Sequence, residues 1–120
     1  MLTTLQQILA DARERAYAVP AFDCVEDVMV RTVLETAEAL RAPVIIMCLA
    51  PRPDSYDMAY LAGLVRGVAD AHSIPICLHL DHTSDLELVK QAIDHGFTSV
   101  MVDGSTRPFE ENVALTRAAV

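Results

Sequence analysis

Ile74-Pro75-Ile76-Cys77-Leu78-His79-Leu80-Asp81-His82-Thr83-Ser84-Asp85 is an apolar run that ends in a carboxylate flanked by imidazoles. A helix start follows at once, so the run reads as a strand buried on both faces. Such strands belong to parallel sheets covered by helices, and α/β proteins place their chemistry at the carboxyl ends of these strands. A histidine beside an aspartate there offers a metal ligand next to a proton-transfer group.

Strand and helix signals alternate on both sides of this segment, with short connections. Toward the N-terminus, Thr3 and Gln6 form a capping box for a first helix, with Leu5, Ile8, Leu9 and Ala12 as its apolar stripe. Tyr17 to Phe22 reads as a short strand. Residues 25–40 place Val25, Val28, Met29, Thr32, Val33, Ala37 and Leu40 on one helical face. Pro43 to Leu49 is a second apolar strand. Pro51-Arg52-Pro53 then breaks the chain, and Ser55 caps a helix that turns Met58, Leu61, Ala62, Val65, Val68 and Ala69 inward. Beyond the quoted strand, Ser84 and Glu87 make another capping box, for a helix ended by His95-Gly96. Thr98 to Asp103 is the fourth strand. Gly104-Ser105 turns the chain into a last helix with Pro108 at its first position and Glu110 and Glu111 at the positive end of its dipole. Its stripe is Phe109, Val113, Thr116 and Val120.

The order is a leading helix followed by four βα units. An open doubly wound sheet and part of a (β/α)₈ barrel both satisfy it. The last helix has no Gly or Asn cap and no tail, which favours the barrel. A full barrel takes about 200–250 residues or more. Residues 1–120 are therefore expected to be one domain, the front half of a (β/α)₈ barrel within a longer sequence.

Composition narrows the function. A net charge of −8 argues against nucleic acid or an anionic membrane as the main partner, because phosphate contacts need clustered Lys and Arg. It leaves room for a phosphorylated substrate in a local pocket. No apolar run approaches the ~20 residues of a membrane span, and the N-terminus lacks a secretory layout. Cys24, Cys48 and Cys77 show no CxxC spacing and read as small buried hydrophobes. A cytoplasmic location is the resulting expectation.

Alternation along the strands puts His79 and Asp81 on one face and Leu78 and Leu80 on the other; Ser99, Met101 and Asp103 share a face of the next strand. If helices cover the leucine face, His79, Asp81 and Asp103 point into the barrel, and His82 is free to turn over its mouth. A catalytic zinc needs about three protein ligands and one open position. His82 and the Asp103 carboxylate are candidates, and the set is incomplete. The competing assignment makes His79 and His82 hydrogen-bonded strand-end residues and Asp81 the cap of the next helix. His72 and His95 sit at helix carboxyl ends, where an imidazolium complements the dipole. The Asp54/Asp57 and Glu110/Glu111 pairs read as helix-start charges, Arg107 as solvated or touching an anionic substrate, and Gly104 as a turn residue.

Three blocks bear a likeness to a known family: Ala42-Pro43-Val44-Ile45-Ile46, Leu78-His79-Leu80-Asp81-His82, and Met101-Val102-Asp103-Gly104-Ser105 followed by Pro108-Phe109-Glu110-Glu111-Asn112-Val113. In order and spacing they resemble the class II, zinc-dependent ketose-bisphosphate aldolases that act on fructose or tagatose bisphosphates. The resemblance covers essentially all 120 residues, matches the N-terminal half of that family, and implies a (β/α)₈ barrel with a leading helix. It implies a lyase of carbohydrate metabolism, cleaving a ketose 1,6-bisphosphate to dihydroxyacetone phosphate and glyceraldehyde 3-phosphate. Asp81 would be the proton donor and acceptor, His82 a ligand of the catalytic Zn²⁺, and Asp103 a carboxylate of a second divalent position. Two further zinc histidines and the phosphate-binding loops of the family would lie beyond Val120, so the substrate-binding residues are unassigned and the chain by itself is expected to be inactive. Asp23 stands where members often have Asn, Thr83 where a Gly often follows, and Ala50-Pro51-Arg52-Pro53 replaces a small, hydroxyl-rich loop. These departures bear on substrate choice.

Two other readings compete. A non-catalytic half-barrel would act by association, either as a homo-oligomer or with a missing barrel half, because its first and fourth strands present open edges. A different metal-dependent barrel lyase or hydrolase would use the same strand-end trio.

Overall fold

Thr4, one residue later than the sequence suggests, starts the first helix. Its hydroxyl accepts from the Gln7 N–H at 3.3 Å, and the Gln7 side chain accepts from the Thr4 N–H at 3.0 Å. The box is reciprocal in the expected way, and the shift arises because Thr3 is held extended: its N–H donates to the Ile76 carbonyl at 2.8 Å. The elements of this computed structural model are α1 (Leu5–Glu14), β1 (Ala21–Asp23), α2 (Asp27–Leu40), β2 (Val44–Leu49), α3 (Asp57–Ala69), β3 (Ile76–Thr83), α4 (Leu86–His95), β4 (Ser99–Val102) and α5 (Phe109–Ala119). It describes residues 1–49 and 57–120; the Pro51-Arg52-Pro53 break, the Ser55 cap and the Asp54/Asp57 pair fall outside the described residues or side chains.

The four strands form one parallel sheet in sequential order, β1-β2-β3-β4. Sequential order separates the two candidate architectures, since a doubly wound sheet reverses direction at a switch point. The helices agree. Val44, Ile46, Ile76, Leu78 and Leu80 form one cluster with Val30 and Leu34 of α2, Leu61 and Val65 of α3, and Ala92 of α4. The opposite face carries Ile45 and Cys77, packed against Ile8 of the leading helix. The fold is the front half of a (β/α)₈ barrel: an outer helix layer, a sheet, and α1 closing part of the inner face. Leu34, Ile46, Ile76, Leu78 and Leu80 have essentially no exposed surface, and each fully buried aliphatic side chain contributes about 1.5–3 kcal/mol.

Two predicted stripes are only partly buried. On α2 the buried residues are Val30, Leu34 and Ala37, while Val28 and Leu40 are 63% and 72% exposed. On α5 only Leu115 is buried and Phe109 is 76% exposed. Helices of a barrel layer are flanked on both sides, so each has one face on the sheet and apolar flanks toward its neighbours. α2 and α5 stand at the two ends of the layer, where one flank of each meets no neighbour among the described residues. The sequence periodicity grouped these apolar residues without telling the sheet-facing side from a flank.

Other local expectations are corrected by a residue or two. Asp85, not Ser84, caps α4; its carboxylate accepts from the Glu87 N–H at 2.9 Å. Gly96 ends α4 as expected, at φ 90°, where a Cβ is strained. β1 is shorter than residues 17–22 suggested, and Pro108 is the N-cap of α5 rather than its first residue. All three cysteines are buried, and burial pushes the Cys24 and Cys77 thiols up.

Glu38, near the end of α2, fastens the loop that leads into β3. Its carboxylate accepts from the Ser73 hydroxyl at 2.5 Å, the Ser73 N–H at 2.9 Å and the Ile74 N–H at 3.4 Å. The Ser73 hydroxyl is the main reason its pKa lies below the ordinary 4.5. A depressed carboxylate stabilises the fold above its unfolded value and loses that contribution as pH falls through the folded one. Glu38→Gln should therefore be less stable than the wild type at pH 7, with the gap closing below about pH 4.5. Urea melts of both proteins across that range check this, and a gap independent of pH would contradict it.

Candidate active site

The inner face of the sheet builds the site from below. Met47 lies beside His79 and Leu49 beside Asp81 across the β2–β3 ladder, and His79 lies beside Ser99 across β3–β4. Beyond that point the β3–β4 register slips. Leu80 pairs with Val100, but Thr83 pairs with Val102, so Asp81 and His82 together oppose one residue of β4. This is a β-bulge, and His82 is its left-handed residue at φ 42°. A side chain in that region costs on the order of 1 kcal/mol. The bulge breaks the two-residue alternation, which would have turned His82 to the same face as Leu80. Two consecutive residues, Asp81 and His82, thereby reach the same mouth. His82 belongs to β3 and is held there, rather than free in a loop.

A continuous line of polar groups results. The Ser99 hydroxyl is 2.7 Å from His79 Nδ1, and His79 Nε2 faces Asp81 Oδ1 at 3.7 Å. Asp81 Oδ1 is 3.9 Å from His82 Nε2, and His82 Nδ1 is 2.8 Å from Asp103 Oδ2. His79 is only 8% exposed, and burial lowers its pKa below the ordinary 6.5 against the opposing pull of Asp81. A neutral ring has one N–H; directing it at the carboxylate leaves Nδ1 to accept the Ser99 hydroxyl. Asp103 is held well below the usual carboxylate range by the side chain and N–H of Ser105, and then by His82. His82 moves the other way, raised first by its hydrogen bond to Asp103 and then by the charge on Asp81. The metal-free pair is therefore strongest between the ordinary values of 3.8 for Asp103 and 6.5 for His82. It fades as pH rises through the raised His82 value, and on the acid side as pH falls through the depressed Asp103 value.

The structure thus brings Asp81, His82 and Asp103 together, and Asp81 caps no helix. Arg107 is exposed, with its backbone N–H closing a turn on the Gly104 carbonyl at 2.9 Å. His95 ends α4 as expected; His72 lies three residues past α3, 3.7 Å from Glu38.

Among the described residues, no group of three or more His, Cys, Asp or Glu is arranged to hold a metal ion. Donor chemistry still suits one ligand of a zinc set. His82 directs Nδ1 at a carboxylate, which is how metal-binding imidazoles are oriented with the other nitrogen as donor. The residues fit as part of a ligand set, and about three protein ligands make a whole one.

Three supporting residues escaped the sequence reading. Ser99 was placed on the right face without its role as partner of His79. Thr83 is buried; its hydroxyl accepts from the Asp85 N–H at 3.1 Å and its carbonyl from the Asp103 N–H at 2.8 Å, tying the bulge to both following elements. Gly104 opens the turn that Arg107 closes, as expected, and its lack of a side chain is also needed for space. A Cβ there would meet the Asn112 side chain, with Cγ at 2.8 Å and the backbone Cα at 3.2 Å. Gly104→Ala should push α5 off β4 and loosen the neighbouring Asp103, lowering stability by about 1–3 kcal/mol. Chemical denaturation of the variant tests this; an unchanged midpoint would show that Asn112 simply steps aside.

The family model described as fructose-bisphosphate aldolase class II matches residues 3–120. The chain is 42% identical over 120 residues to a fructose-bisphosphate aldolase of Giardia intestinalis, covering 99% of this chain and 37% of that protein. It is 40% identical over 118 residues to a D-tagatose-1,6-bisphosphate aldolase subunit of Klebsiella oxytoca, covering 96% and 40%. The crystal structure of the YdjI aldolase from Escherichia coli K12 superposes with a TM-score of 0.92 at 30% identity, over 100% of this chain and 46% of that one. The chain spans about two fifths of the length of the curated relatives it matches.

Proposed function

The chain belongs to the class II fructose-bisphosphate aldolase family, and from that membership we propose that its β3–β4 end supplies part of a zinc-assisted retro-aldol site. The substrate is a ketose 1,6-bisphosphate, fructose or tagatose, and the products are dihydroxyacetone phosphate and glyceraldehyde 3-phosphate. The observation that carries this reading is the line His79–Asp81–His82–Asp103 at one mouth, its neighbours 2.8–3.9 Å apart.

Asp81 is the general acid–base. In cleavage it takes the proton of the C4 hydroxyl while the C3–C4 bond breaks and its electron pair passes to the ketone half; in condensation it returns that proton. His82 is a zinc ligand oriented by Asp103, and Asp103 also offers a carboxylate to a second divalent cation. Zinc, when bound, supplies Lewis-acid stabilisation of the negative charge that develops on the ketone half. His79 backs Asp81 as a neutral donor. Its own partner, Ser99, fixes the ring.

This chain holds only part of the site in this reading. Remaining zinc ligands and the phosphate contacts come from barrel strands that the 120 residues do not include, so the isolated chain cleaves nothing. The location that fits such chemistry is the cytoplasm; no helix among the described residues is long and apolar enough to cross a membrane. The test is an assay of a complete barrel, built by joining this segment to the C-terminal part of the Giardia relative, against both bisphosphates. Turnover that disappears with a chelator and returns with zinc is expected. A folded barrel that cleaves neither sugar, or is indifferent to the chelator, would refute the proposal.

A further inference from the structure

We propose that Thr83 is a positioning residue for zinc: its buried hydroxyl locks the bulge of β3 and so sets how tightly His82 holds the metal. This rests on the zinc reading above and adds to it a residue that serves as neither ligand nor acid–base.

His82 sits at φ 42°, and a non-glycine residue stays in that region only where its surroundings over-determine it. Here they do so through a closed ring of bonds. The Thr83 carbonyl accepts from the Asp103 N–H at 2.8 Å, and Asp103 Oδ2 returns to His82 Nδ1 at 2.8 Å. The other carboxylate oxygen, Oδ1, accepts from the Ser105 N–H at 2.9 Å, which holds the carboxylate in place. Imidazole, carboxylate and two backbones are thereby fixed together, and Nε2 is left as the donor for a metal.

Any residue at position 83 supplies that carbonyl. The hydroxyl is what this side chain adds. Thr83 is only 5% exposed, and its Oγ1 accepts from the Asp85 N–H at 3.1 Å. Asp85 is the N-cap of α4, and its carboxylate accepts in turn from the Glu87 N–H at 2.9 Å. Regular pairing of β3 with β4 would carry Thr83 about 3.3 Å further along the strand and return His82 to the face of Leu80. The bond from Asp85 opposes that slide. It ties Thr83 to the cap of a helix that is itself anchored by buried Val89 and Ala92. Bulge and helix start therefore hold or fail together, and the bulge is what aims His82.

The complete barrel carries the test. Thr83→Val keeps the shape of the side chain and removes the acceptor. It should bind zinc about tenfold or more weakly in competition with a chromogenic chelator, as when a group that orients a metal ligand is lost. Thr83→Ser restores the hydroxyl and should bind zinc as the wild type does. So should Ser84→Ala, at the exposed neighbouring position. Turnover of Thr83→Val should recover as zinc is raised, because Asp81 is untouched. In the metal-free barrel, the Asp103 amide should exchange its hydrogen about tenfold or more faster in Thr83→Val than in the wild type or Thr83→Ser. Thr83→Ala replaces the valine variant if that one loses its folded signal. Wild-type zinc affinity in folded Thr83→Val, equal losses in the valine and serine variants, or an unchanged exchange rate at Asp103 would overturn this proposal alone. A wild-type barrel that binds no zinc would sink the zinc reading and this proposal with it.

Discussion

Asp81→Asn, placed in a complete barrel, should lose about 10²–10⁴-fold in kcat, the range that a positioned general acid–base contributes. The amide keeps the size and much of the hydrogen bonding of the carboxylate but cannot accept the C4 proton. KM should change little, since the lost interaction belongs to the transition state. Zinc should stay bound, because Asp81 Oδ1 is 3.9 Å from His82 Nε2 while the orienting contact on that ring is the one to Asp103 at 2.8 Å. Metal analysis of the purified variant beside its steady-state rates separates the two roles. Unchanged turnover would remove Asp81 from the mechanism, and a variant that loses zinc with its rate would make it part of the metal site instead.

Leu78→Ala should destabilise the chain by about 2–5 kcal/mol, the range for a large-to-small change at a fully buried site. Leu78 has no exposed surface, sits in the cluster formed with α2, α3 and α4, and precedes His79 on the strand that carries the site. For a domain whose total stability is on the order of 5–15 kcal/mol, that is a large share. Leu9→Ala is the control. Leu9 lies on the apolar stripe read from the sequence of α1 but is 44% exposed, so its truncation should cost about 0.5 kcal/mol or less. Urea midpoints for both variants, at one protein concentration, decide the matter; equal costs would mean that the sheet–helix cluster is not the stabilising core.

Short-range pattern decided the order of elements, the parallel character of the sheet and the identity of Asp81, His82 and Asp103 as candidates. Two-residue and 3.6-residue periodicities are properties of neighbouring positions and need no knowledge of the rest of the chain. The same periodicities grouped apolar residues on one face of α2 and of α5 yet said nothing about whether anything lies against them. Burial of those flanks depends on a neighbouring element, and none of the described residues supplies one.

What only the folded chain settled came from contacts between distant residues. Alternation along β3 assigns His82 to the leucine face; the bulge, set by the pairing of Thr83 with Val102, turns it to the other. Ser99 meets His79, and Asn112 leaves no room for a side chain at Gly104, each because two strands or a strand and a helix come together in space. A local sequence pattern carries the direction of a side chain only until the backbone departs from regular geometry, and here that departure sits at the residue proposed to hold the metal.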